Sequence, residues 1–412
     1  MKVLYTTPVL EHPPASGPQL RVENSIKALS QVSELYILSQ VEKSRIGGES
    51  AEDFYKQLCS GFAYSLKVKL GKVAKGNGVV SRIAGRVFNR LEDFLYVLEA
   101  HCVLYYAKKY KVDVVWFGYG NISNQIMRRV RKYQPSLKLI CDTDSVWSRF
   151  VLREIPFEQD LTRRMELVRS GLLKQAEEME WVEFCDVTTA VSLVDAEYYK
   201  GITYFPDRVK IFSNVIDLES YVGVVPPPSD FRSPSIYLAG SFGRNSPMDK
   251  AARWMINDVF PILLERYTDL YFYIVGSESK ETLSDVKHDR IIIAGKLPSV
   301  LPYLCNASVA LVPLMFESGT RFKIMEAAAC GVPIVSTTLG AEGIPVIHNE
   351  HILIADTGSE FVHSIGMLLD DPSLGRALAK NCKDCIQELN SIQTLKREAE
   401  QILDFLTNDK NL

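Results

Sequence analysis

Short apolar runs recur along both halves of this chain. Each is closed by a small or polar turn and followed by a longer segment with helical spacing. KVLYTT (2–7), ELYILS (34–39), VDVVWFG (112–118) and LKLICDTDS (137–145) make up the first set. SIYLAG, LYFYIVG, IIIAG, ALVPL and VPIVST make up the second. Runs this short and this continuously apolar read as strands buried on both faces. Buried parallel strands need helical crossovers, so the alternation predicts an α/β chain with doubly wound sheets. At 412 residues and 47% hydrophobic content, the chain can fill two cores. The proline cluster in VPPPSDFRSP marks the divide between them. Residues 1–216 are expected to form one domain, 217–233 a linker and 234–385 a second domain. In such sheets ligands bind beyond the carboxyl ends of the strands.

The stretch VPLMFESGTRFKIMEAAACGVPIVSTTLGAEGIP (312–345) carries the most chemistry. Between two strands lies Ser318-Gly319-Thr320, then a helix-period segment closed by Gly331 and Pro333. A small-residue turn at a helix start leaves backbone N–H groups unpaired, and with the helix dipole these make a seat for phosphate. Arg321 and Lys323 place positive charge in a first turn where a bare helix favours acids. Glu326 follows on a side that could meet hydroxyl groups of the same ligand. Together these features point to a nucleotide-sugar. The plainer alternative is an ordinary βαβ crossover with a solvated arginine and lysine.

The same stretch resembles the donor-binding segment of family 4 retaining glycosyltransferases of the bacterial group 1 type. It matches the subgroup that carries SGTR-x-K-x-x-EA-x-A-x-G-x-P followed by GAEG, and the match extends through Glu342-Gly343. The resemblance implies the GT-B arrangement, two Rossmann-like domains facing across a cleft. It implies transfer of a hexose from a nucleotide-diphosphate sugar to a hydroxyl acceptor, with retention and with neither metal nor cofactor. In that reading the Gly319–Arg321 amides, Arg321 and Lys323 hold the diphosphate and Glu326 holds the ribose. One departure is visible: many members carry a second glutamate where this chain has Ser318, with Glu317 one step off.

Further motifs follow the same family. The loop PPASGPQ resembles a glycine-rich PP-x-SGG-x-x-R loop over the donor phosphates. Gly17 is retained there, while Pro18, without an N–H, takes the second glycine's place. His12 and Arg21 flank this loop as acceptor-side candidates; the alternative for His12 is loop packing. Asp142 and Asp144 close the fourth strand as candidates for acceptor hydroxyls, and Asp144 joins Arg321 and Lys323 as a catalytic candidate. The alternative for both is capping of the next helix. CDVTTAVSLVD resembles the strand before the domain crossing, with Ser192 as a helix cap. SNVID (213–217) stands where the family has P-N-G-V-D. Arg244 and Lys250 stand where the wider family binds the diphosphate with basic residues. Gly295-Lys296-Leu297 resembles the turn that reads the base. The terminal helix, 386–412, is expected to return to the first domain.

The net charge of −3 argues against wholesale nucleic-acid binding. The charge is uneven, with 30 Lys+Arg against 25 Asp+Glu in residues 1–216. Residues 54–91 hold no acid but eight basic residues, including Lys67, Lys69, Lys72, Lys75, Arg82, Arg86 and Arg90. Within an insertion at 41–110, Ile83, Val87, Leu91, Phe94, Leu95 and Leu98 give one greasy helical face. That surface suits anionic lipid headgroups, or else it is a solvated cover over the first core. Eight scattered cysteines suit a reducing cytoplasm. The lone Cys382/Cys385 pair has no partner pair at metal spacing. No apolar run is long enough for a signal peptide or a membrane span. The expected location is cytoplasmic, with a peripheral contact on the inner membrane face. A glycan or lipid-linked acceptor in cell-surface polysaccharide or glycolipid synthesis completes the family-level expectation. Rival readings are a non-catalytic module binding a nucleotide-sugar or glycan, and a nucleotide-sugar epimerase.

Overall fold

A computed structural model describes residues 1–65, 79–221, 223 and 225–408, with the side chains of 79–90 outside that description. The chain divides into two compact units. The first comprises residues 1–148, 172–213 and 395–412, and the second residues 149–171 and 214–394.

The first unit is built on a parallel sheet of seven strands. They are β1 (Lys2–Thr7), β2 (Glu34–Ser39), β3 (Gly61–Tyr64), β4 (Val114–Gly118), β5 (Lys138–Asp142), β6 (Val187–Ala190) and β7 (Val209–Ile211), in the order β3-β2-β1-β4-β5-β6-β7. The central strands are buried almost throughout, with Val3 to Tyr5, Val114 to Phe117 and Leu139 to Cys141 fully inaccessible. That burial is why they read as unbroken apolar runs rather than as alternating ones. Gly118 ends β4 without a side chain for a packing reason. A Cβ there would come within 2.1 Å of the Tyr5 hydroxyl.

The second unit repeats the plan with six parallel strands. They are β8 (Ser235–Ala239), β9 (Tyr271–Val275), β10 (Ile291–Gly295), β11 (Val309–Val312), β12 (Ile334–Ser336) and β13 (Leu353–Ile354), ordered β10-β9-β8-β11-β12-β13. The helix Phe322–Ala329 buries Ile324, Met325 and three alanines, whose small size lets it pack closely on the sheet. In each sheet the strand order reverses beside the first strand, between β1 and β4 and between β8 and β11. Open α/β sheets bind ligands at that switch point, outside the carboxyl ends of the strands. The whole is an α/β fold of two doubly wound, Rossmann-like units.

Three boundaries differ from the sequence reading. Residues 149–171, expected in the first domain, cluster with the second. Arg153 there bonds to Glu342, and Phe157 stacks on Phe316 at 5.5 Å. The division falls between 213 and 214, and the return to the first unit begins at 395 rather than 386. Within the expected basic insertion, GFAY forms strand β3, which pairs with β2. Residues 66–78, with Lys67, Lys69, Lys72 and Lys75, lie outside the described residues. So do the side chains of Arg82, Ile83, Arg86, Val87 and Arg90. Further along the same helix, Leu91, Phe94 and Leu98 are exposed. No described helix is long and apolar enough to cross a membrane.

Candidate functional site

The loop from β11 to the helix Phe322–Ala329 runs over the carboxyl end of the second sheet, at its switch point. Gly319 sits at φ +80°, a conformation that glycine adopts without strain. The turn is held from outside residue by residue. Phe316 is buried against Phe157, with the Lys250 ammonium 5.0 Å from its ring centroid. The Glu317 carbonyl accepts from Arg153 at 2.8 Å, and the Thr320 hydroxyl accepts from the Asn214 amide at 2.6 Å. Arg321 is the residue that caps the helix rather than a member of its first turn. Its buried guanidinium folds back and donates to the carbonyls of Ser318, at 2.8 Å, and Gly319. It therefore braces the turn while adding charge to it. Among the described residues, no acceptor meets the backbone N–H groups of Gly319, Thr320, Phe322 or Lys323. The Ser318 hydroxyl is likewise buried without a partner. Donors left open at a helix start are what an anion needs.

Lys323 follows in the helix's first turn. Burial pushes its ammonium below the ordinary lysine value, with Arg321 adding to the effect and Glu317 and Glu326 opposing it. Burial pushes the Glu326 carboxyl up, against Tyr221 and Lys323. The Tyr221 hydroxyl donates to Glu326 Oε1 at 3.1 Å, so one carboxylate oxygen remains for another donor. Lys323 and Glu326 line a small pocket with Tyr237, Ala239 and Val312, where the buried Tyr237 hydroxyl has no partner. A roomier groove of about 290 Å³ lies between the helices Phe260–Arg266 and Gly358–Asp370. None of the residues singled out in the sequence line it.

Glu342, in the GAEG segment, sits between two arginines. Arg153 grips it with both terminal nitrogens, at 2.7 and 2.8 Å, and Arg149 approaches at 3.3 Å. Burial raises the Glu342 carboxyl, but these cations outweigh it and hold the group below its ordinary value. Around the turn, Arg149, Arg153, Lys250, Arg321 and Lys323 outnumber Glu317, Glu326 and Glu342 by two charges. Lys250 also donates to the Phe157 carbonyl at 3.3 Å. Arg244 is exposed in the loop after β8, and Lys296 is exposed beside the half-buried Leu297 after β10. Among the described residues, no hydrogen bond or ion pair joins Arg244, Lys296 or Leu297 to the turn.

In the first unit, the acceptor-side candidates fall into two groups. Arg21 and Asp142 form a buried ion pair at 2.5 Å. The same guanidinium donates to the carbonyls of Thr143, at 3.0 Å, and Phe212, at 3.2 Å, while the Thr189 hydroxyl donates to Asp142 at 2.7 Å. His12 stacks on Phe54 at 3.7 Å and bonds to Glu23 at 2.8 Å. Gly17, half-buried, opens the helix Gly17–Val32 with the exposed Pro18 beside it. Asp144 stands apart from these in character. It is half-buried and accepts from the Asn121 amide at 2.5 Å and the Trp147 indole at 3.1 Å. Burial nonetheless raises its carboxyl. Asn121 comes from the GYGN loop, where Tyr119 takes φ +62°, a backbone conformation rare for non-glycine residues. Side chains that sequence reading did not single out lie against these candidates: Arg149, Arg153 and Tyr221 in the second unit, and Asn121 and Trp147 in the first.

Known proteins resemble this chain in sequence and in fold. Residues 234–371 match the family model for Glycosyl transferases group 1. That span holds Arg244, Lys250, Lys296, Leu297, residues 318–326 and Glu342. One component of the human phosphatidylinositol N-acetylglucosaminyltransferase is 28% identical over 160 residues, covering 36% of this chain. The matched part spans 30% of that human protein's length. Among solved structures, Anabaena HepE in complex with UDP and glucose superposes with a TM-score of 0.63 at 13% identity, covering 98% of this chain and 99% of its own. Sucrose-phosphate synthase from Thermosynechococcus elongatus superposes at 0.68 and 15% identity, covering 99% and 100%. These likenesses establish the fold, and with the family match they support a glycosyltransferase of the GT-B type.

Proposed function

We propose that this chain is a retaining, family 4 glycosyltransferase that moves a hexose from a nucleotide-diphosphate sugar to a hydroxyl acceptor. The observation that carries this reading is the turn at 318–321. It combines unpaired amides, a left-handed glycine and an excess of cations at the start of one helix. Cleaving the bond between sugar and phosphate loads negative charge onto the departing diphosphate. The Gly319 and Thr320 amides and the Lys323 ammonium stabilise that charge in place of a metal ion, and Arg321 holds the turn in shape while adding its own field. Glu326, steadied by Tyr221, accepts hydroxyl donors from the ribose. In the first unit Asp144, with its raised carboxyl, is the candidate that meets the acceptor hydroxyl.

The names of the relatives support the substrate class. HepE was solved with UDP and glucose, and the human relative is named for transfer of N-acetylglucosamine to phosphatidylinositol. A third neighbour, with a TM-score of 0.61, is a lipopolysaccharide outer core galactosyltransferase. A polysaccharide or lipid-linked acceptor fits these names. Exposed Leu91, Phe94 and Leu98 would rest on a membrane surface.

The test is incubation with a panel of labelled UDP-, GDP-, ADP- and dTDP-sugars. Slow hydrolysis or transfer is expected with one donor, and Lys323→Ala should cut that rate about 10²-fold. Binding without turnover would instead indicate a non-catalytic module, and an isomerised sugar an epimerase.

A further inference from the structure

Arg153 lies far in sequence from the donor turn, at the end of the helix Trp147–Glu154, yet one of its nitrogens serves two loops. Nη1 donates to the Glu317 carbonyl at 2.8 Å and to Glu342 Oε1 at 2.7 Å, while Nη2 donates to Glu342 Oε2 at 2.8 Å. Glu342 follows the short helix Thr338–Ala341, and Glu317 immediately precedes the Ser318-Gly319-Thr320 turn. The side chains of Arg153 and Glu342 are 24% and 20% exposed, sheltered enough for a forked contact to hold its geometry. The backbone from Pro313 to Thr320 has no helical or strand hydrogen bonds of its own, so such outside contacts decide where its amides point.

We propose that Arg153, oriented by Glu342, is a positioning residue that sets the direction of the 318–320 amides and so the affinity for the donor diphosphate. This rests on the donor reading of that turn. The guanidinium fork is essential to the device. A lysine keeps the charge but offers one nitrogen, which cannot hold a fixed pair of contacts to a carboxylate and a carbonyl together. Arg153 touches no reacting atom in this scheme. Its effect passes through the Glu317 carbonyl into the two peptide units that follow.

Two measurements separate this inference from the reading beneath it. The first needs no ligand: the amide ¹H–¹⁵N resonances of 317–320 in a TROSY spectrum of Arg153→Lys, Arg153→Ala and the exposed control Arg163→Ala. These resonances should shift in both Arg153 variants and stay in place in the control. Unshifted resonances in the Arg153 variants overturn the proposal. Should Arg153→Ala unfold, Glu342→Gln retains an acceptor and should show the same local effect in a folded chain. The second is calorimetric titration with UDP, GDP, ADP and dTDP. For the nucleotide that the wild type binds, Arg153→Lys should raise Kd about tenfold. With the matching sugar donor, kcat/KM should fall at least as far, because the same amides meet the charge that builds on the leaving diphosphate. A kcat/KM unchanged in Arg153→Lys would overturn a positioning role. A wild type that binds none of the four overturns the donor reading, and the amide shifts still decide the clamp.

Discussion

Replacing Arg21 with methionine would remove one guanidinium and strand a buried carboxylate. Arg21 and Asp142 are 2% and 1% exposed at the side chain, so water reaches neither. Without the arginine, Asp142 keeps, among the described residues, the Thr189 hydroxyl alone, and the carbonyls of Thr143 and Phe212 lose a donor. Breaking a buried ion pair from one side costs about 3–5 kcal/mol, because the remaining charge stays uncompensated. For a unit of this size that is a fall in Tm on the order of 10 °C. Replacing both partners, as Arg21→Met with Asp142→Leu, removes the stranded charge and should recover most of the loss. Scanning calorimetry of the full chain, with urea unfolding followed by tryptophan fluorescence, gives both numbers. A single variant that loses less than about 1 kcal/mol, or a double variant worse than the single, would refute the reasoning.

Four further outcomes are expected. Glu326→Ala should weaken nucleoside diphosphate binding, and Tyr221→Phe should weaken it about tenfold, near the lower worth of one hydrogen bond to a carboxylate, read by calorimetry. Because burial lowers the Lys323 ammonium, donor affinity should decline as pH rises through a value below the ordinary lysine range, and this alkaline limb should vanish in Lys323→Ala. Glu52 is held down at about 2 by hydrogen bonds from Lys56, Tyr64 and Lys43. A lowered carboxylate stabilises the fold above its unfolded value and ceases to do so as pH falls toward 2, so Glu52→Gln should lower Tm at pH 7 and change it little near pH 2. Flotation with anionic liposomes at low salt should carry the protein upward, and Phe94→Glu should reduce it; no co-flotation removes the membrane contact.

What could be read along the chain was local. Strands β1 and β2 coincide with KVLYTT and ELYILS because a parallel strand buried on both faces leaves an unbroken apolar run. Ser192 caps its helix by accepting from the Asp195 N–H at 3.2 Å, a role set by neighbours three residues apart. β3 leaves little signal, because GFAY is four residues long and opens a stretch dominated by basic charge. Pairings such as Arg153 with Glu342, 189 residues apart, leave no mark on the sequence around either residue. Asn121 shows the same limit, since nothing in GYGN says that its amide will reach Asp144. The glycine turn at the helix start was legible because such a turn is itself a local device. The arginine that contacts it was not, for it arrives from another part of the fold.

The most direct measurement is a crystal structure of the protein soaked with the nucleoside diphosphate it binds. The expected result is the terminal phosphate within about 3 Å of the Gly319 and Thr320 amides and of the Lys323 ammonium. A diphosphate bound elsewhere, with that turn unchanged and empty, would contradict the assignment of this helix start as the seat of the leaving group.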